Sequence, residues 1–180
     1  MRIISGKYRG RKLKDLKADG VRPTLDRVRE NVFNIIAPNV RDSVFLDLFS
    51  GSGAIGFEAL SRGAKEVVFS DKSKEVVEHL KLNAKMLGES VTIINSDYKL
   101  TLSRLGGKRF DIVYLDPPYE FDESEVLYEL SKSKILDSKT LIIYEHNSEK
   151  PFENKENLFT VTDERKYGIA TLTFLRKEDE

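Results

Sequence analysis

The sequence predicts an α/β fold: seven strands in a mostly parallel sheet, helices on both faces, an antiparallel last strand and a small basic N-terminal extension. Three observations carry this. Beyond residue 42, short apolar runs alternate with helical patterns, which places a right-handed crossover between successive parallel strands. The first of these runs enters a glycine-rich turn that opens directly into a helix. The last two runs, 158–164 and 170–175, are separated only by a short segment containing Lys166-Tyr167-Gly168, a hairpin spacing that reverses the final strand.

The elements follow in order. Met1–Gly20 reads as an arm with a hairpin around Tyr8-Arg9-Gly10. A helix is expected from Thr24 as N-cap, with Leu25, Val28, Val32, Phe33, Ile35 and Ile36 on its apolar face, Arg27, Glu30 and Asn34 on the other, and Pro38 as its stop. Strands are expected at Val44–Phe49, Glu66–Ser70, Val91–Asn95, Phe110–Leu115 and Thr140–Tyr144, ahead of the closing hairpin. Helices are expected at Ala54–Ser61, Ser73–Leu87 and Ser124–Lys132. The chain divides into a basic arm and helix, 1–41, and a body, 42–180, within one compact domain.

The most informative stretch is Asp116-Pro117-Pro118-Tyr119, directly after the fourth apolar run. Two prolines cannot continue a sheet, since neither has an N–H to donate. The first also holds Asp116 extended. The strand therefore ends in a stiff corner that carries a carboxylate, a free carbonyl and an aromatic ring. Such a corner can accept both hydrogens of a flat –NH2 group while stacking on the base that bears it. An exocyclic amine is a poor nucleophile, and acceptors on its hydrogens aim its lone pair at an electrophile. The plain alternative is an ordinary turn with a solvated acid and a rim tyrosine.

Gly51-Ser52-Gly53-Ala54-Ile55-Gly56 forms a strand–turn–helix device that brings backbone N–H groups to a nucleotide-like ligand. Its literal match is to a nicotinamide-cofactor motif, but Asp47, inside the preceding strand, would repel a pyrophosphate. Four acids, Asp47, Asp71, Asp97 and Asp116, end or follow four successive strands. In an open parallel sheet those ends converge on one crevice. A row of acids suits a nucleoside bearing a cationic amine; S-adenosylmethionine fits, with Asp71 placed for ribose hydroxyls. Each acid alone is equally well read as a helix N-cap.

The segment FLDLFSGSGAIGFEAL (45–60), the acid after the second strand and the Asp116-Pro117-Pro118-Tyr119 corner resemble class I S-adenosylmethionine-dependent methyltransferases acting on exocyclic amines. RIISGKYRGRKL (2–13) and RPTLDRVRENVFN (22–34) are similar to the opening of the bacterial 16S rRNA (guanine(966)-N(2))-methyltransferase family. The resemblance covers nearly the whole chain and implies a Rossmann-like methyltransferase sheet. It implies methyl transfer to a guanine 2-amino group in 16S ribosomal RNA, free or within a partly assembled small subunit. Asp116, the Pro117 carbonyl and Tyr119 would handle the base. Gly51 and Gly53 would approach the cofactor's methionine part, Asp47 its ammonium, Asp71 its ribose and Asp97 its adenine, with Phe49 also at the cofactor. Arg2, Lys7, Arg9, Arg11, Lys12, Arg22 and Arg27 would hold RNA phosphates. The competing readings are an adenine-amine DNA methyltransferase, for which 180 residues leave little room for a DNA-reading region, and a non-catalytic RNA-binding assembly protein.

Composition sets the remaining bounds. Hydrophobic residues make up 39% of the chain, enough for a real core. There is no cysteine, which excludes disulfides, thiol nucleophiles and zinc fingers. The two histidines, His79 and His146, sit apart in sequence, and no metal is assigned. No apolar stretch approaches membrane-spanning length, and a cytoplasmic monomer is expected. Net charge is zero, yet residues 1–41 hold 11 Lys/Arg against 4 acids, so the arm carries +7 and the body −7. That asymmetry points to a polyanion-binding segment on a catalytic body.

Overall fold

A computed structural model describes residues 1–16 and 26–177. Thr24, Leu25 and Arg22 lie outside the described residues. The strands are β1 (Val44–Asp47), β2 (Glu66–Asp71), β3 (Thr92–Asn95), β4 (Ile112–Leu115), β5 (Leu141–Asn147), β6 (Thr160–Tyr167) and β7 (Ala170–Arg176). They form one sheet in the order β3-β2-β1-β4-β5-β7-β6. β1 to β5 pair in parallel. β7 runs antiparallel between β5 and β6, as the hairpin spacing requires. Strand order reverses between β1 and β4, which makes the crevice beyond their carboxyl ends the switch point of the sheet.

Side-chain alternation builds two cores. Phe45, Phe69, Ile112 and Tyr114 face one side with α1 (Asp26–Val40), α2 (Ala54–Ser61) and α3 (Lys74–Leu87). Leu46, Val68, Val113 and Leu115 face the other with α4 (Tyr98–Arg104) and α5 (Glu123–Lys132). The helices therefore cover both faces. Each fully buried Leu, Ile or Phe contributes roughly 1.5–3 kcal/mol. Ser73 caps α3 by accepting from the Val76 N–H, and Asp122 caps α5. Among the described residues no helix is long and apolar enough to cross a membrane.

Three expectations need correction. Pro38 does not stop α1, which runs on to a buried Val40. The lost hydrogen bond would have reached the Asn34 carbonyl, on an exposed part of the helix where water can replace it. Ile35 is 37% exposed, whereas Arg29 is buried, because its guanidinium meets the buried Glu58 carboxylate. α4 was not anticipated; Asp97 nucleates it by accepting from the Leu100 N–H at 3.0 Å.

The arm forms the expected hairpin, with an isolated antiparallel bridge between Arg2 and Lys12. It docks on α2 and α3. Glu58, 1% exposed, accepts from the N–H groups of Ile4 and Ser5, each at 2.9 Å. Ser61 Oγ accepts from the Tyr8 N–H at 3.0 Å, and Lys7 pairs with Glu89. In a parallel sheet the following helices start at the strands' carboxyl edge and run to the amino edge. Ser61 ends α2 and Glu89 follows α3, so the tip of the hairpin sits at the edge opposite the crevice. A helix the length of α2 spans about 12 Å and one the length of α3 about 21 Å.

Candidate active site

The glycine turn is fastened from both sides. Gly53 takes the left-handed conformation at φ 78°, open to glycine at little cost, and Gly56 lies where a Cβ would come within 2.2 Å of Phe69 Cε1. The Gly51 N–H donates to Asp71 Oδ2 at 3.1 Å, and the Ser73 N–H donates to Asp71 Oδ1 at 2.9 Å. One carboxylate thus joins the turn to the start of α3. Ser50 Oγ donates to the Asp47 carbonyl at 2.7 Å and accepts from the Ser70 N–H at 2.9 Å. No motif flagged Ser50 or Ser70; their role is visible only once β1 and β2 are adjacent.

Asp47 lies beneath the turn, 2% exposed, accepting from the Gly56 N–H at 3.0 Å. Burial pushes its carboxyl up to about 7, the Gly56 hydrogen bond opposes this, and the nearby Asp71 charge adds to the rise. Asp97 is exposed beyond β3 and caps α4. Phe49 stacks against Tyr98 and Phe121, with ring centroids 5.5 and 5.8 Å away. These three rings, from the end of β1, the start of α4 and the loop after the Pro-Pro corner, tie the two halves of the crevice together. Tyr98 and Phe121 have no sequence signal beyond being aromatic.

The corner itself follows β4. Asp47 is in register with Tyr114 on the neighbouring strand, so Asp116 lies two residues further out beside the glycine turn. Asp116 is half-buried, Pro117 is buried and Tyr119 is 48% exposed. The Phe121 N–H donates to the Pro118 carbonyl at 2.9 Å, closing the turn. On the β5 side of the corner opens a pocket of about 260 Å³, walled by Pro117, Tyr119, Glu123, Tyr144, His146 and Lys150. The glycine turn contributes none of its walls; turn and pocket flank the corner from opposite sides.

Asp47, Gly51, Gly53, Asp71 and Asp116 thus gather at the switch point, whereas most of the basic residues do not. Arg2, Arg9, Arg11 and Lys12 are exposed on the arm, with Arg2 Nη1 donating to the Gly10 carbonyl at 2.6 Å. Lys7 is held by Glu89, and Arg27 is exposed on the first turn of α1.

The chain is similar to known proteins along nearly its whole length. The family model described as Conserved hypothetical protein 95 matches residues 1–176. Ribosomal RNA small subunit methyltransferase D of Haemophilus influenzae is 40% identical over 176 residues, covering 95% of this chain and 91% of that protein. The protein of the same name in Escherichia coli K12 is 42% identical over 120 residues, 66% of this chain and 60% of its own length. The solved Escherichia coli structure named "Putative methyltransferase yhhF" superposes with a TM-score of 0.88 at 31% identity, covering 99% of this chain and 98% of the other.

Proposed function

We propose that this chain, which belongs to the Conserved hypothetical protein 95 family, transfers a methyl group from S-adenosylmethionine to the 2-amino group of a guanine in 16S ribosomal RNA. Its fold is that of the class I methyltransferases, and relatives at 40% identity are ribosomal RNA methyltransferases by name. One observation carries the finer reading: the Asp116-Pro117-Pro118-Tyr119 corner ends β4 beside the glycine turn at the switch point of the sheet.

The residues suit the proposed cofactor. The carboxyl ends of β1 and β2 present Asp47 and Asp71 around backbone N–H groups, a set that repels phosphate and attracts a cation. An ammonium near Asp47 would favour its ionised form and offset the cost of its burial. Asp71 retains acceptor capacity for ribose hydroxyls, and Phe49 and Asp97 border the same space. S-adenosylmethionine supplies an electrophilic methyl group on a sulfonium.

Asp116 and the Pro117 carbonyl accept the guanine amine's two hydrogens, and Tyr119 stacks on the base. This orients the nitrogen lone pair toward the glycine turn. The pocket on the β5 side receives the rest of an unpaired or flipped-out base; a stacked and paired guanine cannot enter. Exposed Arg2, Arg9, Arg11, Lys12 and Arg27 position RNA through its phosphates. The arm's tip lies at the opposite sheet edge, so it engages RNA remote from the target nucleotide.

The test is transfer of labelled methyl groups from S-adenosylmethionine to 16S ribosomal RNA, both free and within small-subunit particles, and to DNA, followed by nucleoside analysis. N2-methylguanosine from RNA is the expected product. Label in adenine, label in DNA or no transfer at all would overturn the proposal.

A further inference from the structure

Glu145 is a carboxylate in the wall of the pocket that the proposed chemistry leaves unused. It is half-buried on β5 and lines the pocket together with Pro117 and Tyr119. Strand register fixes its place. β4 and β5 run parallel with Tyr114 opposite Ile143 and Leu115 opposite Tyr144, so the next step along both strands sets Asp116 beside Glu145. Neighbouring strands lie about 4.8 Å apart. Tyr114 and Ile143 face one core, Leu115 and Tyr144 the other. Alternation therefore puts Glu145 on the Tyr114 face, and Tyr114 Oη donates to Glu145 Oε2 there at 2.5 Å. Asp116, two residues beyond Tyr114 and held extended by Pro117, shares that face. Tyr114 is 1% exposed; burial pushes its hydroxyl well above the ordinary tyrosine range, and the Glu145 and Asp116 charges add to the rise. It thus keeps its proton and serves as a fixed donor that orients the Glu145 carboxylate. An ionised carboxylate only accepts, with about four lone-pair sites on its two oxygens, so one bond from Tyr114 does not exhaust it.

Two carboxylates side by side, one at the corner and one in the pocket wall, match one edge of one base. Guanine carries its 2-amino group and its N1–H next to each other, both donors pointing the same way. Adenine has no such pair: its N1 is a bare lone pair, which a carboxylate repels. We propose that Glu145 is a specificity-determining residue of the base site, accepting the N1–H of the target guanine while Asp116 and the Pro117 carbonyl hold its 2-amino group. The inference rests on the functional reading above and gives its choice of guanine over adenine a physical cause. A base without N1–H sets its own lone pair against a charge that Tyr114 holds in place, and that repulsion excludes it.

The test places a base analogue at the target nucleotide of 16S ribosomal RNA by ligating in a synthetic fragment. The RNA is presented free or within small-subunit particles, whichever the wild type methylates. 2-Aminopurine keeps the reacting amine and lacks both N1–H and the 6-carbonyl; 1-methylguanine keeps amine and carbonyl and lacks N1–H alone. The wild type should favour guanine over each by about 10-fold or more in kcat/KM. Glu145→Gln, whose amide can turn its NH2 toward the N1 of 2-aminopurine, should cut the guanine to 2-aminopurine ratio by about 10-fold. A residue that served only to pair with Tyr114 would, on substitution, slow both substrates together; an unchanged ratio therefore overturns the assignment. If the variant fails to fold, the wild type decides: turnover of either analogue within about 3-fold of guanine overturns it. The two ideas fail separately. No transfer to guanine itself removes the proposed function, whereas transfer to all three bases alike removes the role of Glu145 and leaves that function standing.

Discussion

The two sides of the crevice are built differently. The glycine turn is held by hydrogen bonds to Asp47, Ser50, Ser70 and Asp71, and beneath it Gly56 meets Phe69 with no space for a methyl. The corner after β4 takes its shape from two prolines, a turn hydrogen bond from the Phe121 N–H to the Pro118 carbonyl and the packing of Phe121 on Phe49 and Tyr98, and it leaves Tyr119 half open to solvent. A preformed turn suits a ligand that is the same in every catalytic cycle. An open, stiff corner suits a base that must arrive from a large RNA. On this contrast, changes at the corner should remove turnover and spare cofactor binding, and changes at the turn should weaken cofactor binding and spare the stacking of the base at the corner.

The sharpest break is Asp116→Ala. Removing one acceptor from the amine should lower kcat by at least about 10²-fold, the range seen when a single transition-state hydrogen-bonding group is lost. S-adenosylmethionine affinity should stay within about 2-fold by calorimetry. Loss of cofactor binding instead would place Asp116 on the turn side and erase the contrast.

Asp47→Asn probes the turn, with opposite signs on stability and binding. The folded chain keeps the Asp47 proton up to about pH 7, whereas the unfolded chain releases it near 3.8. Between those values the folded state binds more protons, so the wild type loses stability as pH rises through that window. The amide can still accept from the Gly56 N–H and carries no such slope. The variant's advantage in thermal unfolding should open between pH 4 and 7 and then level off, at most ~4 kcal/mol. Its affinity for S-adenosylmethionine should nevertheless fall, because the negative charge is gone. A flat difference across pH would mean that Asp47 is not buried as described.

Gly56→Ala should have a smaller effect, a destabilisation of about 1–3 kcal/mol, because Phe69 must move or the helix must shift. Cofactor affinity should drop while the stacking of RNA bases on Tyr119, followed by fluorescence, is retained.

Much of this was legible in the sequence, for identifiable reasons. Alternating apolar runs, the glycine turn and the Pro-Pro corner are local signals, and strand order then brings Asp47 and Asp116 together without further help. Asp97 reads equally well as ligand or cap; its Oδ1 caps α4, which by itself does not decide between the two. What the sequence concealed depends on pairing across distance. Arg29 on a helix reads as a surface cation until Glu58 is found buried opposite it. Asn83 reads as an ordinary helix residue until the arm's Lys14 peptide meets it. Arg2 to Lys14 reads as a polyanion-binding segment on a catalytic body, but nothing in the sequence says that Glu58 and Ser61 anchor its tip at the edge of the sheet opposite the crevice.

That placement makes the mildest prediction the most particular. Replacing Arg9, Arg11 and Lys12 together with Ala should act on RNA affinity alone, since none of them approaches the corner. KM for RNA should rise several-fold with kcat unchanged at saturating RNA, and the salt dependence of binding should flatten by roughly 2 in log–log slope for three lost phosphate contacts on single-stranded RNA. A fall in kcat would mean that the tip acts on the chemistry, and the separation of arm from crevice would fail. An unaltered slope would mean that the tip carries no phosphates, and the RNA footprint would then have to be drawn from Arg27 and the rim of the crevice.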